Sequence, residues 1–505
     1  MKHNVTINGK TFKAEENETL YSVLKSSGSG VDAVCGGHGK CGKCRVIVSG
    51  AVSEPTEKEL RALTDEDIKA GVRLACMTLV KGDCFIRTSG AGNTRIYTDG
   101  GLREHIHAPA FEKYGVAVDI GTTTVALRLY DKNGALLSER GCLNPERRFG
   151  ADVISRMEAA IKGESAEIAA AIREGVNELI KNAAEDADID PYEIDGAVIV
   201  GNTAMLYLLC GDDTEPLTHA PFEAKRLFGE TVPASGIGLN ALSENASVYF
   251  PPCVSAFIGA DTAAALCAAD MYGRGGIYVL TDIGTNNETV LNDNGDISAC
   301  STAAGPAFEG AGISCGMSGG DGAVDKVYLD NGEYRVHVIG GKAPAGICGS
   351  GIVDAVACML ERGDLDETGY LEDDVTITGK VTLTRKDVRA VQLAKGAVHA
   401  GIKTLLKTSG LECKDVEKLC IAGGFGSYLD KENAAKIGLI PSGLKDKITV
   451  AGNGALAGAS LLLLSLPLRE ECENGVKSIK TVQLASNPMF VSEYAESMLF
   501  PPQDK

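Results

Sequence analysis

The chain is 505 residues long, carries a formal net charge of −19, and holds 61 glycines but no tryptophan. With 44% hydrophobic and 23% charged residues it has an ordinary globular mix, and its length suggests about three domains. The acidic balance excludes a nucleic-acid partner, because a polyanion would be repelled. No apolar stretch approaches the ~20 residues needed to cross a bilayer. The opening MKHNVTINGK has no apolar signal core, so no membrane partner and a cytoplasmic location are expected. Most of the sixteen cysteines, among them Cys142, Cys210, Cys253, Cys267 and Cys358, are scattered through apolar segments and are expected as small buried hydrophobes.

In chain order, residues 3–8 and 11–14 flank Asn8-Gly9, a tight-hairpin signal. A helix-period segment follows, with Leu20, Val23 and Leu24 on one face. Next come a Gly-rich loop with three cysteines, the strand CRVIVSG, a short helix in EPTEKELRAL, and strands around VRLACMTLV and CFIRT. This order suits a small β-grasp domain over residues 1–88.

The loop CGGHGKCGKC places Cys35, Cys41 and Cys44 in a C-x5-C-x2-C pattern. Its glycines let the backbone take unusual dihedrals and bring N–H groups toward a cluster's sulfides. Cys76 and Cys84 are the candidates for a fourth ligand. Cys76 is preferred because Leu-Ala-Cys is the usual context of that ligand in β-grasp ferredoxins, which the loop resembles. A zinc ribbon would show two C-x2-C pairs, and only one is present. A [2Fe–2S] cluster on Cys35, Cys41, Cys44 and Cys76 is therefore expected, serving one-electron transfer near roughly −400 mV.

Residues 89–112 show no sustained period and are expected to be a linker, with their histidines on its surface. From residue 113, strands and helices alternate. VDIGTTTV at 118–125 and TDIGTNNETV at 281–290 overlay as two strand–turn–strand units. An internal duplication is expected, with lobes over 113–270 and 271–450 facing each other across a cleft, and a connecting helix and tail over 451–505 returning to the first lobe.

In each turn an Asp at a strand end, Asp119 or Asp282, is suited to hold hydrated Mg²⁺ or orient water. Gly121 and Gly284 leave the turn bare for phosphate oxygens. Thr122, Thr123, Thr285 and Asn286 then offer donors. GADTAAALCAA (259–269) and AGNGALAGASLLL (451–463) are small-residue helices suited to close approach. Gly423, Gly424 and Gly426 in IAGGFGSYLD form a turn suited to adenosine. Glu309 and Ser350 sit in glycine-rich polar contexts, where helix capping and contact with nucleotide or partner are both open.

These elements, in this order, resemble the actin, sugar kinase and heat-shock chaperone ATPase superfamily, with its duplicated ribonuclease H-like fold. The whole α/β multidomain chain resembles the reductive activators of corrinoid-dependent methyltransferases and corrinoid iron–sulfur proteins. The strings are RLAC (73–76), DIGTTT (119–124), VGNTAM (200–205), TDIGTN (281–286), AGPAFEGAGI (304–313), GICGSGIVDA (346–355) and IAGGFG (421–426). The resemblance implies ATP with Mg²⁺, a corrinoid protein restored from cob(II)alamin to cob(I)alamin, and an upstream low-potential electron donor; the oligomeric state stays open. Two departures stand out. Asn287 replaces the family's Gly, as the residue most tolerant of a left-handed backbone. No room exists between 89 and 112 for the extra domain of longer members. A small-molecule kinase with a fused redox domain, and a nucleotide-gated electron carrier, share the same motifs.

Overall fold

The computed structural model describes residues 2–27, 44–63, 65–88, 105–150, 152–310, 312–317, 319–423 and 429–501. It divides into two compact units, Met1–Arg95 and Ile96–Lys505.

In the first unit, β1 (Lys2–Ile7) and β2 (Lys10–Glu15) form an antiparallel hairpin, closed by Asn8 and Gly9 at φ 49° and 88°. With β3 (Arg45–Val52), β4 (Val72–Leu74) and β5 (Val80–Thr88) they make a five-stranded sheet of order β2-β1-β5-β3-β4. The helix Leu20–Ser26 contributes Leu20, Val23 and Leu24 to one core with Val5, Ile7, Val46, Leu74 and Ile86. This is the ferredoxin-like β-grasp arrangement. Glu59 lies beneath the segment that carries Cys76, where its carboxylate accepts from Arg73, the Leu74 N–H and the Thr78 hydroxyl at 3.0–3.1 Å. Burial pushes the Glu59 carboxyl up, but Arg73 and the main-chain donors outweigh it and hold the group below its ordinary range.

The second unit contains the same five-strand pattern twice, each copy with one edge strand of its own added. The first copy comprises β6 (Tyr114–Ile120), β7 (Thr124–Asp131), β8 (Leu136–Leu143), β9 (Ile194–Gly201), β10 (Glu230–Pro233) and β11 (Ser247–Phe250), in the order β10-β11-β9-β6-β7-β8. The second is built on β12 (Ile277–Ile283), β13 (Asn287–Asp293) and β14 (Asp296–Thr302). Between them and its remaining strands lie two small sheets: β15 (Ala323–Asp330), β16 (Glu333–Val338) and β17 (Gly346–Ile347), then β18 (Val375–Thr378) and β19 (Val381–Leu383). β20 (Lys418–Ala422), β21 (Ile448–Gly452) and β22 (Lys480–Thr481) complete the order β21-β20-β12-β13-β14-β22. In both copies an antiparallel three-strand meander opens the sheet and parallel strands extend it from the first strand. β6 and β9 are apolar along most of their length because both faces are covered. The whole is the two-lobed actin-like architecture.

Two small-residue helices lie side by side, Ala260–Ala268 and Gly454–Leu464. A Cβ on Gly458 would stand 1.9 Å from the Ala264 carbonyl oxygen, so the backbones meet where only glycine fits. The helix Gly454–Leu464 is buried along its whole length and packs on β6 and β9, which returns the chain to the first copy. Residues 105–112, expected as linker, are strapped to this unit. Ala108 bridges Ser465, Ala108 and Ala110 donate to Leu464 and Leu463 at 3.0 and 3.2 Å, and Phe111 is buried. Further on, Lys395 is fully buried and donates to the carbonyls of Ser497, at 2.7 Å, and Leu499, anchoring the C-terminal segment.

Candidate functional site

Asp119 and Asp282 are each the penultimate residue of the first strand of a meander, and each heads the tight turn that follows. The duplicated sheet thus presents the same carboxylate at the same position in both copies.

The first turn is held from outside. Asn144 donates to the Gly121 carbonyl at 2.8 Å and Arg156 to the Thr122 carbonyl at 2.7 Å. Arg156 is fully buried and paired with the fully buried Glu146 at 3.4 Å. Burial pushes the Glu146 carboxyl up to about 7, even against Arg156. Asn202 donates to the Thr122 hydroxyl at 3.3 Å while its own oxygen caps the helix Thr203–Cys210. A Cβ on Gly121 would come within 2.9 Å of the Thr124 carbonyl oxygen, so the turn stays bare there.

In the second turn, Gly284 N–H donates to the Asn286 carbonyl at 3.2 Å. Asn287 begins β13 in an extended pairing with Ile283 and Thr302 and is absent from the left-handed residues. It substitutes for glycine by a different route from the one expected. Its buried amide bonds the hydroxyls of Thr281 and Thr289 at 2.9 and 3.1 Å. Gly423, at φ 95°, packs on this turn, where a Cβ would fall 2.8 Å from Asp282 Oδ1. Gly424 and Gly426 lie outside the described residues, as do Cys35 and Cys41.

One side chain joins the two turns. Glu309 accepts the Thr123 hydroxyl at 2.5 Å through Oε2 and the Thr285 hydroxyl at 2.7 Å through Oε1. Ser350 goes elsewhere, its hydroxyl donating to the Asp325 carbonyl of β15 at 2.9 Å.

The surroundings of the two turns are rich in acid. Burial raises Asp282 to about 7, and the neighbouring Asp261, Asp119 and Glu309 add to the shift. Asp119 is also raised to about 7 by burial, although Asn453 donates to it at 2.9 Å. Asp261, in the first turn of Ala260–Ala268, is raised to about 6 by burial. Glu288 is pushed well up, first by burial and then by Asp261 and Asp282.

In the first unit, Cys44 and Cys76 are buried with their sulfurs 3.2 Å apart, well beyond the ~2.05 Å of a disulfide. None of the described cysteines forms a disulfide. The Cys76 thiol lowers Cys44 to about 6 against the cost of burial, and main-chain hydrogen bonds of Cys76, Cys44 and Ala75 lower it further. Two converging thiols, one lowered chiefly by the other, suit two of the four thiolates an iron–sulfur cluster requires. Cys84 is buried in the same core, its thiol pushed up to about 11 by burial.

Comparison with known proteins agrees with both halves. Residues 5–81 match the family model "2Fe-2S iron-sulfur cluster binding domain", 114–274 match "RACo middle region", and 276–505 match "C-terminal domain of RACo the ASKHA domain". The corrinoid activation enzyme RamQ of Eubacterium limosum is 36% identical over 425 residues, covering 77% of this chain and 70% of that protein. A Methanosarcina barkeri reductase of a Co(II) methylated amine-specific corrinoid protein is 29% identical over 383 residues and 70% of each chain. The solved structure of a reductive activator for a corrinoid, iron–sulfur protein superposes at TM-score 0.72, with 26% identity over 99% of both chains. The chain belongs to the reductive activators of corrinoid proteins.

In this activator the structure adds residues that motif spacing passed over: Asn144, Glu146 and Arg156 behind the first turn, Asn202 and Asn453 at helix starts, and Asp261 and Glu288 in the cleft. Asp261 and Asn453 stood inside GADTAAAL and AGNGA, strings read only for their small residues. A polar residue heading an otherwise apolar helix was the available signal.

The raised carboxyls set an expected pH dependence. The folded chain keeps a proton on Asp282 that the unfolded chain releases above its ordinary 3.8, so stability falls as pH rises toward about 7. Asp282→Asn removes that penalty. Thermal unfolding of the nucleotide-free protein should give a higher midpoint for the variant at about pH 8, the gap closing toward about pH 4. An unchanged gap across this range contradicts the assignment.

Proposed function

We propose that this protein uses ATP to drive a low-potential electron from a [2Fe–2S] cluster into the inactive cob(II)alamin of a corrinoid protein, restoring cob(I)alamin. The end-to-end structural likeness to a reductive activator carries this reading, because it spans the thiol-bearing unit and both acidic turns in one polypeptide. Cys35, Cys41, Cys44 and Cys76 are the proposed cluster ligands, supported by the meeting of Cys44 and Cys76. When bound, the cluster supplies one-electron transfer near roughly −400 mV.

The nucleotide roles follow the two turns. Asp119 and Asp282 carry hydrated Mg²⁺ or orient the attacking water, and Asn453 fixes the Asp119 carboxylate for that task. Gly121 and Gly284 leave space for phosphate oxygens. The hydroxyls of Thr122, Thr123 and Thr285 and the amide of Asn286 donate to them. Gly423, Gly424 and Gly426 lie against the adenosine. The working parts are residues 1–88 for the redox domain, 89–104 for the tether, 105–112 for the strap on the second unit, 113–270 and 271–450 for the lobes, and 451–505 for the return. An upstream low-potential donor and a cytoplasmic setting complete the scheme.

ATP has a physical reason to be present. Cob(II)alamin accepts an electron only at very low potential, so transfer from an ordinary ferredoxin cluster runs uphill. ATP binding and hydrolysis offset that step by bringing the two lobes onto the corrinoid protein and changing the cobalt's axial ligation or exposure.

Anaerobic mixing with reductant, a cob(II)alamin protein and ATP should give cob(I)alamin absorbance, and a non-hydrolysable analogue should not. Equal reduction without nucleotide overturns the proposal. Separately, Cys76→Ser should abolish the cluster's visible absorption, while Cys84→Ser keeps it. An intact cluster in the Cys76 variant defeats the ligand assignment.

A further inference from the structure

Glu309 ends a single 3-10 turn, Pro306–Glu309, set between the left-handed glycines Gly305 and Gly310 at φ 79° and 81°. Gly310 admits no side chain, since a Cβ there would lie 2.5 Å from the Met317 carbonyl oxygen. Ala307 and Phe308 are buried, and Gly305 N–H donates to the Thr285 carbonyl at 2.9 Å. The turn is therefore clamped at both ends and through its middle. It aims one carboxylate at two hydroxyls that belong to different lobes, Thr123 and Thr285. Oε1 also lies against the bare face of Gly284, 3.5 Å from where a Cβ would stand.

Carboxylate and phosphate oxygens compete for the same donors, since both are anions that accept charge-assisted hydrogen bonds. Each threonine hydroxyl has one proton to give, so Glu309 and a nucleotide phosphate cannot hold the same pair together. We propose that Glu309 is a self-supplied anion that occupies the terminal-phosphate subsite and latches the lobes together until the nucleotide displaces it. The proposal rests on the nucleotide reading of the cleft given above. On displacement the Thr123 and Thr285 hydroxyls pass to phosphate oxygens, and the Glu309 charge leaves the neighbourhood of Asp282 at the moment a cation arrives. The bridge between lobes then runs through the nucleotide in place of the protein. A diphosphate, lacking the third phosphate, competes poorly with the latch.

Calorimetric titration of the full chain with MgAMP-PNP and MgADP tests this. Glu309→Ala should bind AMP-PNP about tenfold more tightly than wild type, with a much smaller gain for ADP. Glu309→Gln keeps the shape without the charge, should fall between the two, and guards against a folding failure of the alanine variant. Without nucleotide, amide hydrogen exchange at 121–124 and 284–287 should be faster in both variants, a difference that AMP-PNP erases. Weaker or unchanged AMP-PNP binding in the variants, with normal binding by wild type, overturns the latch and leaves the nucleotide site standing. Equal tightening for ADP overturns the terminal-phosphate placement. Failure of wild type to bind either nucleotide overturns the nucleotide reading and the latch with it.

Discussion

Asp119, Asp261, Asp282, Glu288 and Glu309 come together around the two turns, and their burial, with the repulsion some of them add, is the constraint around which the second unit is arranged. Taking a carboxylate out of water disfavours its charged form, and a neighbouring carboxylate disfavours it again. The structure answers with donors placed one by one: Asn453 on Asp119, the Thr262 N–H on Asp261, Ser301 on Glu288, and Thr123 with Thr285 on Glu309. Even so, Asp119 and Asp282 are held up near 7. Local rules are broken here in the way expected of a site built for a ligand.

The packing that delivers these acids is the duplicated sheet and the helix pair beside it. Because each meander turns directly after its first strand, the same register puts Asp119 and Asp282 at equivalent points. The two copies stabilise their turns differently. Behind the first stands the buried Glu146–Arg156 pair with Asn144. Within the second, Asn287 ties together Thr281 and Thr289. The close approach of Ala264 and Gly458 sets how near the helices that carry Asp261 and follow Asn453 lie.

Much of this was legible in sequence because glycine and repetition are local signals. Asn8-Gly9 marked its hairpin and the paired DIGT strings marked the duplication. Long-range partners were not legible. Nothing in spacing alone connects Glu309 to Thr123 across 186 residues, or Arg156 to the Thr122 carbonyl, because tertiary folding creates those contacts. Asn287 shows a subtler limit. Its tolerance of a left-handed backbone was the expected reason for replacing glycine, yet the position is an extended, buried start of a strand, and side-chain hydrogen bonding is what suits asparagine to it. Residues 105–112 lacked any period because a strap held by three main-chain bonds needs none.

Those of the five acids that are ionised repel a polyphosphate unless a divalent cation stands between them. On the proposed nucleotide role, binding should therefore depend on Mg²⁺. Calorimetric titration of ATP into the full chain, with Mg²⁺ in one arm and with EDTA in the other, measures this directly. Binding with Mg²⁺ and its loss in EDTA is the result required. Equal affinity in both arms, or no binding in either, contradicts the assignment of the cleft.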